Sequence, residues 1–141
     1  AQDHAQLALI HPPHLEDKLK GTRLIIRALK NFSRIEPGRV IIDHVEEHTI
    51  DEVLDQGFWA GITLYPESKC TPHRAIDMLE QRKGERIWMN SACDWGVSDP
   101  LAVPKTLQAM RQRGWSRQMM EKVAWENPCA FMGQSGKFAV P

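Results

Sequence analysis

Residues 40–66 read VIIDHVEEHTIDEVLDQGFWAGITLYP, and three hydrophobic patterns follow one another inside that stretch. Val40 to Ile42 is a β-branched run, which reads as a buried strand, and it leads straight into Asp43 and His44. Thr49, with Glu52 three residues on, has the spacing of a capping box, and Gly57 stands where a helix end favours a left-handed residue. A short helix is therefore expected between them. Phe58 to Leu64 is a second near-continuous apolar run, and it stops at Tyr65-Pro66. Strand, helix and strand within roughly 30 residues make a βαβ unit, whose crossover sets the two strands parallel.

The same rhythm extends in both directions. Upstream, Gln6 to Ile10 is a short apolar run closed by HPPH, where two prolines forbid a helix, so a buried strand is expected. Leu19, Leu24, Ile25, Ala28, Leu29 and Phe32 then recur at three- and four-residue steps, predicting an amphipathic helix over about 15–32 with a late start or break at Gly21. Downstream, Thr71 or Pro72 opens a helix to about Arg82 with Gly84 closing it, and Ile87 to Met89 is a fourth apolar run. The polar loop NSACDWGVSDP follows, and helices over 101–113, 116–124 and 128–132 finish the chain. Strict alternation of strands and helices implies an α/β fold with a parallel sheet, and the unbroken apolar strands fit burial on both faces. Four strand-plus-helix units are half of a (β/α)₈ barrel; a small open, doubly wound sheet uses the same elements in a different strand order.

Bulk properties narrow the function. The 141 residues carry 18 Lys and Arg against 18 Asp and Glu, a formal net charge of zero, and 42% are hydrophobic. A chain of this length buries enough surface for a core without a disulfide or structural metal. Charge balance excludes the broad basic field that bulk electrostatic binding of nucleic acid needs. The apolar runs fall far short of the ~20 residues that cross a bilayer, so no membrane association is expected. Cys70, Cys93 and Cys129 are odd in number and without CxxC spacing, which argues for a reducing, cytoplasmic setting. The opening AQDHAQ has neither an initiator methionine nor a signal-peptide profile, so a longer protein is expected around it.

In parallel α/β folds chemistry gathers beyond the carboxyl ends of the strands. Those ends hold His11 and His14, then Asp43, His44, Glu46, Glu47 and His48, then Thr63 and Tyr65, then Asn90, Ser91, Asp94 and Asp99. Two histidines and an aspartate on neighbouring strand ends have the composition of a metal site, since imidazole nitrogen and carboxylate oxygen are ligands for zinc and its neighbours. His11 and His44 are one βα unit apart. Each also has a plainer role open to it, as a hydrogen-bonded structural or surface histidine. Glu46, Glu47 and His48 read as a solvated approach to the helix, Asp99 as a helix cap, Cys93 as a small packed residue and the five tryptophans as core and interface anchors. His14, Glu47 and Tyr65 are the candidates for contacting substrate.

The segment 41–66 resembles the signature of TatD-like metal-dependent hydrolases of the amidohydrolase superfamily, with Gly57, Trp59, Gly61, Ile62 and Thr63 matching a GxYxGIT pattern. LALIHPPHLEDK is similar to the segment whose strand-end histidine binds metal there, IWMNSACDWGVSDP to the last barrel strand, and VAWENPCAFM to the closing helix. The resemblance implies a (β/α)₈ TIM-type barrel of which residues 1–141 are the second half, strands five to eight. It implies His11, His44 and Asp94 as metal ligands, with Asp94 as the catalytic carboxylate that orients or deprotonates water. The cofactor would be one or two divalent ions, zinc, manganese, iron or nickel, and the substrate a small molecule or phosphodiester cleaved at an ester, phosphodiester or amide. The family's HxH pair and bridging glutamate have no counterpart here, and Ala-Cys-Asp-Trp replaces the Glu-Thr-Asp-x-Pro of close TatD relatives. The implied partner is the N-terminal half of the barrel or a second copy of the chain. A half barrel lacking the HxH pair is also open to a non-catalytic scaffold or assembly role.

Overall fold

The computed structural model describes residues 6–12, 17–94 and 96–139. Its strands are β1 (Ala8–Ile10), β2 (Val40–Ile42), β3 (Trp59–Leu64) and β4 (Ile87–Ser91), arranged in one sheet in the order of the chain. β1 pairs parallel with β2, Ile10 opposite Ile42, and β2 pairs parallel with β3, Ile42 opposite Ala60. Chain order equal to spatial order is what repeated same-handed βα crossovers produce. Among the described residues no helix is long and apolar enough to cross a membrane.

Packing divides the chain into two compact units. The first comprises residues 1–60 and 129–141. In it α1 (Lys18–Lys30) begins at Asp17, whose carboxylate accepts the Lys20 amide at 2.8 Å, and runs unbroken through a buried Gly21. The break expected at Gly21 does not occur, because a glycine penalty of about 1 kcal/mol is small beside the packing of the helix face. A turn of 3₁₀ helix (Pro37–Arg39) leads into β2, and α2 (Ile50–Asp55) follows. Ile41, Ile42, Ile50, Val53, Phe58, Ala60 and Phe131 are buried at the centre of the unit. Gly57 takes φ +84°, the left-handed exit expected of it. β1 departs from the expected buried strand: Leu9 is 50% exposed, since an edge strand has one neighbour and one open side.

The second unit comprises residues 61–128. α3 (Pro72–Glu80) starts as expected at Thr71, whose hydroxyl accepts the Arg74 amide at 3.3 Å, with proline at the first helical position. α4 (Ala102–Gln112) and α5 (Arg117–Glu121) follow, the latter capped by Ser116. A π-helical turn (Lys122–Glu126) then leads into α6 (Asn127–Gly133). Pro128 explains the wide turn: it has no amide to bond the carbonyl four residues back, and its ring crowds that carbonyl. Ile62, Leu64, Ile76, Leu79, Ile87, Met110 and Val123 form the core. Asn127 is buried and its amide donates to the carbonyls of Gly84 and Ile87, each at 2.7 Å. Cys93 is exposed rather than packed, and of the tryptophans read as core and interface anchors Trp125 is exposed and outside the core.

Candidate metal centre

The β1–β2 register builds the site. With Ile10 opposite Ile42, and the Asp43 amide donating to the Ile10 carbonyl at 2.9 Å, the ladder runs one step past both strands. His11 is thereby brought beside Asp43 and His44, although 33 positions separate the two histidines. Nδ1 of His11 lies 2.7 Å from Nε2 of His44, with ring centroids 4.8 Å apart. Nδ1 of His11 is also 3.8 Å from Oδ2 of Asp43. One donor atom from each of the three residues falls within 4.8 Å of the others, the one such group of three among the described residues.

Local backbone chemistry fixes this arrangement. His44 sits at φ +56°, a left-handed conformation that histidine adopts more readily than bulky residues but that still costs energy. The Asp43 carboxylate accepts the His44 amide at 2.8 Å, satisfying that turned-back donor. Asp43 is 3% exposed, whereas the His11 side chain is 53% exposed, so the group has a buried acidic floor and an open imidazole rim. Lys18 donates to Glu46 at 2.6 Å behind this end of β2, so Glu46 is half-buried and paired rather than a solvated approach to the helix.

The donor set suits a divalent ion. Ligands about 2.0–2.2 Å from a zinc-like ion stand roughly 2.9–3.5 Å from one another; the observed 2.7 and 3.8 Å fall a few tenths of an ångström to either side of that span, and all three donor atoms lie within 4.8 Å of one another. Two neutral imidazoles and a carboxylate are also the ligand types that such ions take. Without an ion, one ring must donate to the other.

Among the expected site residues, His11 and His44 come together. Asp43, present at the strand end in the sequence but not among the expected ligands, joins them. Its signal is an acid directly after the β-branched run Val40 to Ile42, at the carboxyl end of a strand. In the second unit Asp94 is exposed and accepts a hydrogen bond from Tyr65 Oη at 2.5 Å, while Tyr65 itself is buried. Glu47 is exposed, and His14 lies outside the described residues. Asp99 is not the helix cap expected of it: Leu101 holds the N-cap position of α4 with no side-chain cap bond, and Asp99 accepts the Leu101 amide at 2.9 Å in the turn before it and pairs with Lys105 at 2.5 Å.

Parallel strands in chain order with helical crossovers are the marks of a TIM-barrel-like α/β fold, and comparison with solved structures agrees. The chain is similar to a TatD-like protein from Archaeoglobus fulgidus, at 26% identity and TM-score 0.66, over 91% of this chain and 47% of that one. It is also similar to a beta-aspartyl dipeptidase from Fervidobacterium islandicum AW-1 in complex with beta-Asp-Leu dipeptide, at 13% identity and TM-score 0.67, over 90% and 38%. A third likeness is to a phosphotriesterase homology protein from Escherichia coli complexed with phosphate, at 14% identity and TM-score 0.60, over 90% and 58%. The last two, at such identities, are likenesses of fold. The likeness to the TatD-like protein supports a relation to the TIM-barrel amidohydrolase superfamily. The chain spans between about a third and three-fifths of the structures it matches. Neither a protein-family model nor a curated protein matches it.

Proposed function

We propose that this chain is the second half of a TatD-like (β/α)₈ barrel and forms part of a metal-dependent hydrolase. One observation carries the reading: imidazoles 33 residues apart in sequence converge to 2.7 Å over a buried carboxylate at the carboxyl ends of two parallel strands. His11 and His44 hold the ion, and Asp43 fixes the backbone of His44 while its second oxygen faces His11. Asp94, the acid that the TatD resemblance singles out, orients the attacking water and takes up its proton, a carboxylate serving as ligand and base at once. When bound, a divalent ion such as zinc, manganese, iron or nickel lowers the pKa of water towards ~7 and polarises the substrate oxygen.

The substrate class is a small molecule or phosphodiester bearing an ester, phosphodiester or amide bond, with His14 and Glu47 as candidate contacts. The N-terminal half of the barrel, or a second copy of this chain, completes the site. Three free cysteines are in keeping with a reducing, cytoplasmic setting.

The test is elemental analysis of the purified full-length protein alongside His11→Ala and His44→Ala. About one equivalent of metal or more in the parent, with loss of bound metal in both variants, is the expected result. Metal-free parent protein in every preparation would overturn the reading in favour of a non-catalytic scaffold.

A further inference from the structure

Tyr65 follows β3 directly, and its side chain is buried to within 2%. Its Oη nevertheless reaches an exposed carboxylate, donating to Oδ1 of Asp94 at 2.5 Å. Asp94 stands three residues beyond the last residue of β4, outside the sheet ladder, so backbone pairing there does not set its carboxylate.

The donor is held far more firmly than the acceptor. The Tyr65 carbonyl accepts the amides of Ser68, Lys69 and Cys70 at 3.2, 2.9 and 3.1 Å, and Tyr65 and Cys70 form an antiparallel bridge. Next to it, the Leu64 carbonyl accepts the Ala92 amide at 3.3 Å, tying the end of β3 to the segment that carries Asp94. Lys69 Nζ sits 4.4 Å from the centre of the phenol ring. The buried ring and the bonded backbone thus hold the hydroxyl against Asp94. A phenylalanine would fill the same core volume; the hydroxyl is the one atom of the side chain that packing does not require. A short O–H···O⁻ bond is charge-assisted and roughly twice as strong as a neutral one.

We infer that Tyr65 is a positioning residue for Asp94, its buried phenol fixing the plane of the carboxylate that the hydrolytic site uses. The inference rests on the role proposed above for Asp94, and it gives Tyr65 a task other than the direct substrate contact expected from its place at a strand end. A hydrogen bond of this kind raises the effective rigidity of a ligand, and loss of such a supporting partner typically weakens metal affinity by about 10–100-fold.

The experiment uses the full-length protein with Tyr65→Phe, Asp94→Asn and His44→Ala. The Raman difference spectrum between parent and Tyr65→Phe isolates this phenol, and its tyrosine Fermi doublet reports whether the hydroxyl donates strongly. A strong-donor doublet in the parent that weakens in the Asp94→Asn background is expected. Asp94 is exposed, so that variant keeps its fold even if Tyr65→Phe does not. An unchanged doublet would show that the bond is absent and overturn the inference. Calorimetric titration with Zn²⁺ should show Tyr65→Phe binding about 10–100-fold more weakly than the parent, with unaltered far-ultraviolet circular dichroism. Parent-like affinity in Tyr65→Phe, with binding lost in His44→Ala, removes the positioning role and leaves the metal site standing. No Zn²⁺ binding by the parent removes the metal site, and the positioning role with it.

Discussion

Gly84 and His44 both take positive φ, at +67° and +56°, for different reasons. At Gly84 the left-handed turn ends the approach to β4, and a Cβ there would stand 2.8 Å from Val123 Cγ1 and 3.2 Å from Met119 Sδ. Val123 is wholly buried and its branched side chain has no room to withdraw. Gly84→Ala should therefore destabilise the protein by about 1–3 kcal/mol from backbone strain alone, with overpacking adding to it. Urea denaturation checks this, and a midpoint equal to the parent's would contradict it. The glycine was readable in the sequence as a helix-closing residue. The strained histidine was not, because no residue pattern marks a left-handed His; only the Asp43 carboxylate accepting its amide, and the neighbouring imidazole, make that conformation worthwhile.

Helices α1 and α2 show how a local signal is overruled by a partner far along the chain. The capping box read from Thr49 and Glu52 does not form. Thr49 stands at the expected cap position, but its hydroxyl accepts the Glu46 amide at 2.9 Å and bonds back to the Glu46 carbonyl. Glu52 turns instead to Arg23 on α1, in a two-pronged carboxylate–guanidinium pair, while Lys30 donates to Gln56 at 2.6 Å. The Arg23 hydrogen bond holds the Glu52 carboxyl below its ordinary 4.5. A depressed carboxylate contributes stability that is complete above its unfolded value and is lost as pH falls through the lower, folded one. Glu52→Gln should thus lower the melting temperature slightly at neutral pH, and the gap to the parent should close below about pH 4.5. The pair is solvent-exposed, so the gap should also shrink in high salt. Melting curves across pH and ionic strength check both; a gap that persists at low pH would sink the assignment.

At the scale of the whole chain, β1 lies at the edge of the sheet with Leu9 half exposed, and Leu24, Phe32 and Val97 are also exposed. An open strand edge with an apolar side chain is a template for pairing with another chain. The 141-residue chain produced alone should sediment as a species larger than one chain, and Leu9→Lys should shift it towards the monomer. A compact monomer across a range of concentrations would count against the need for a completing half.

Period and punctuation settled the order of strands and helices, because β-branched runs, amphipathic spacing and the Gly57, Thr71-Pro72 and Gly84 boundaries act within a few residues of one another. They also marked His11 and His44, which stand where each apolar run ends. What folding alone decided was contact across distance: the one-step overrun of the β1–β2 ladder that sets His11 against Asp43 and His44, the choice of Arg23 over Thr49 by Glu52, and the reach of Tyr65 to Asp94. Hydrogen bonds between residues tens of positions apart depend on strand register and packing, and linear spacing carries no record of either.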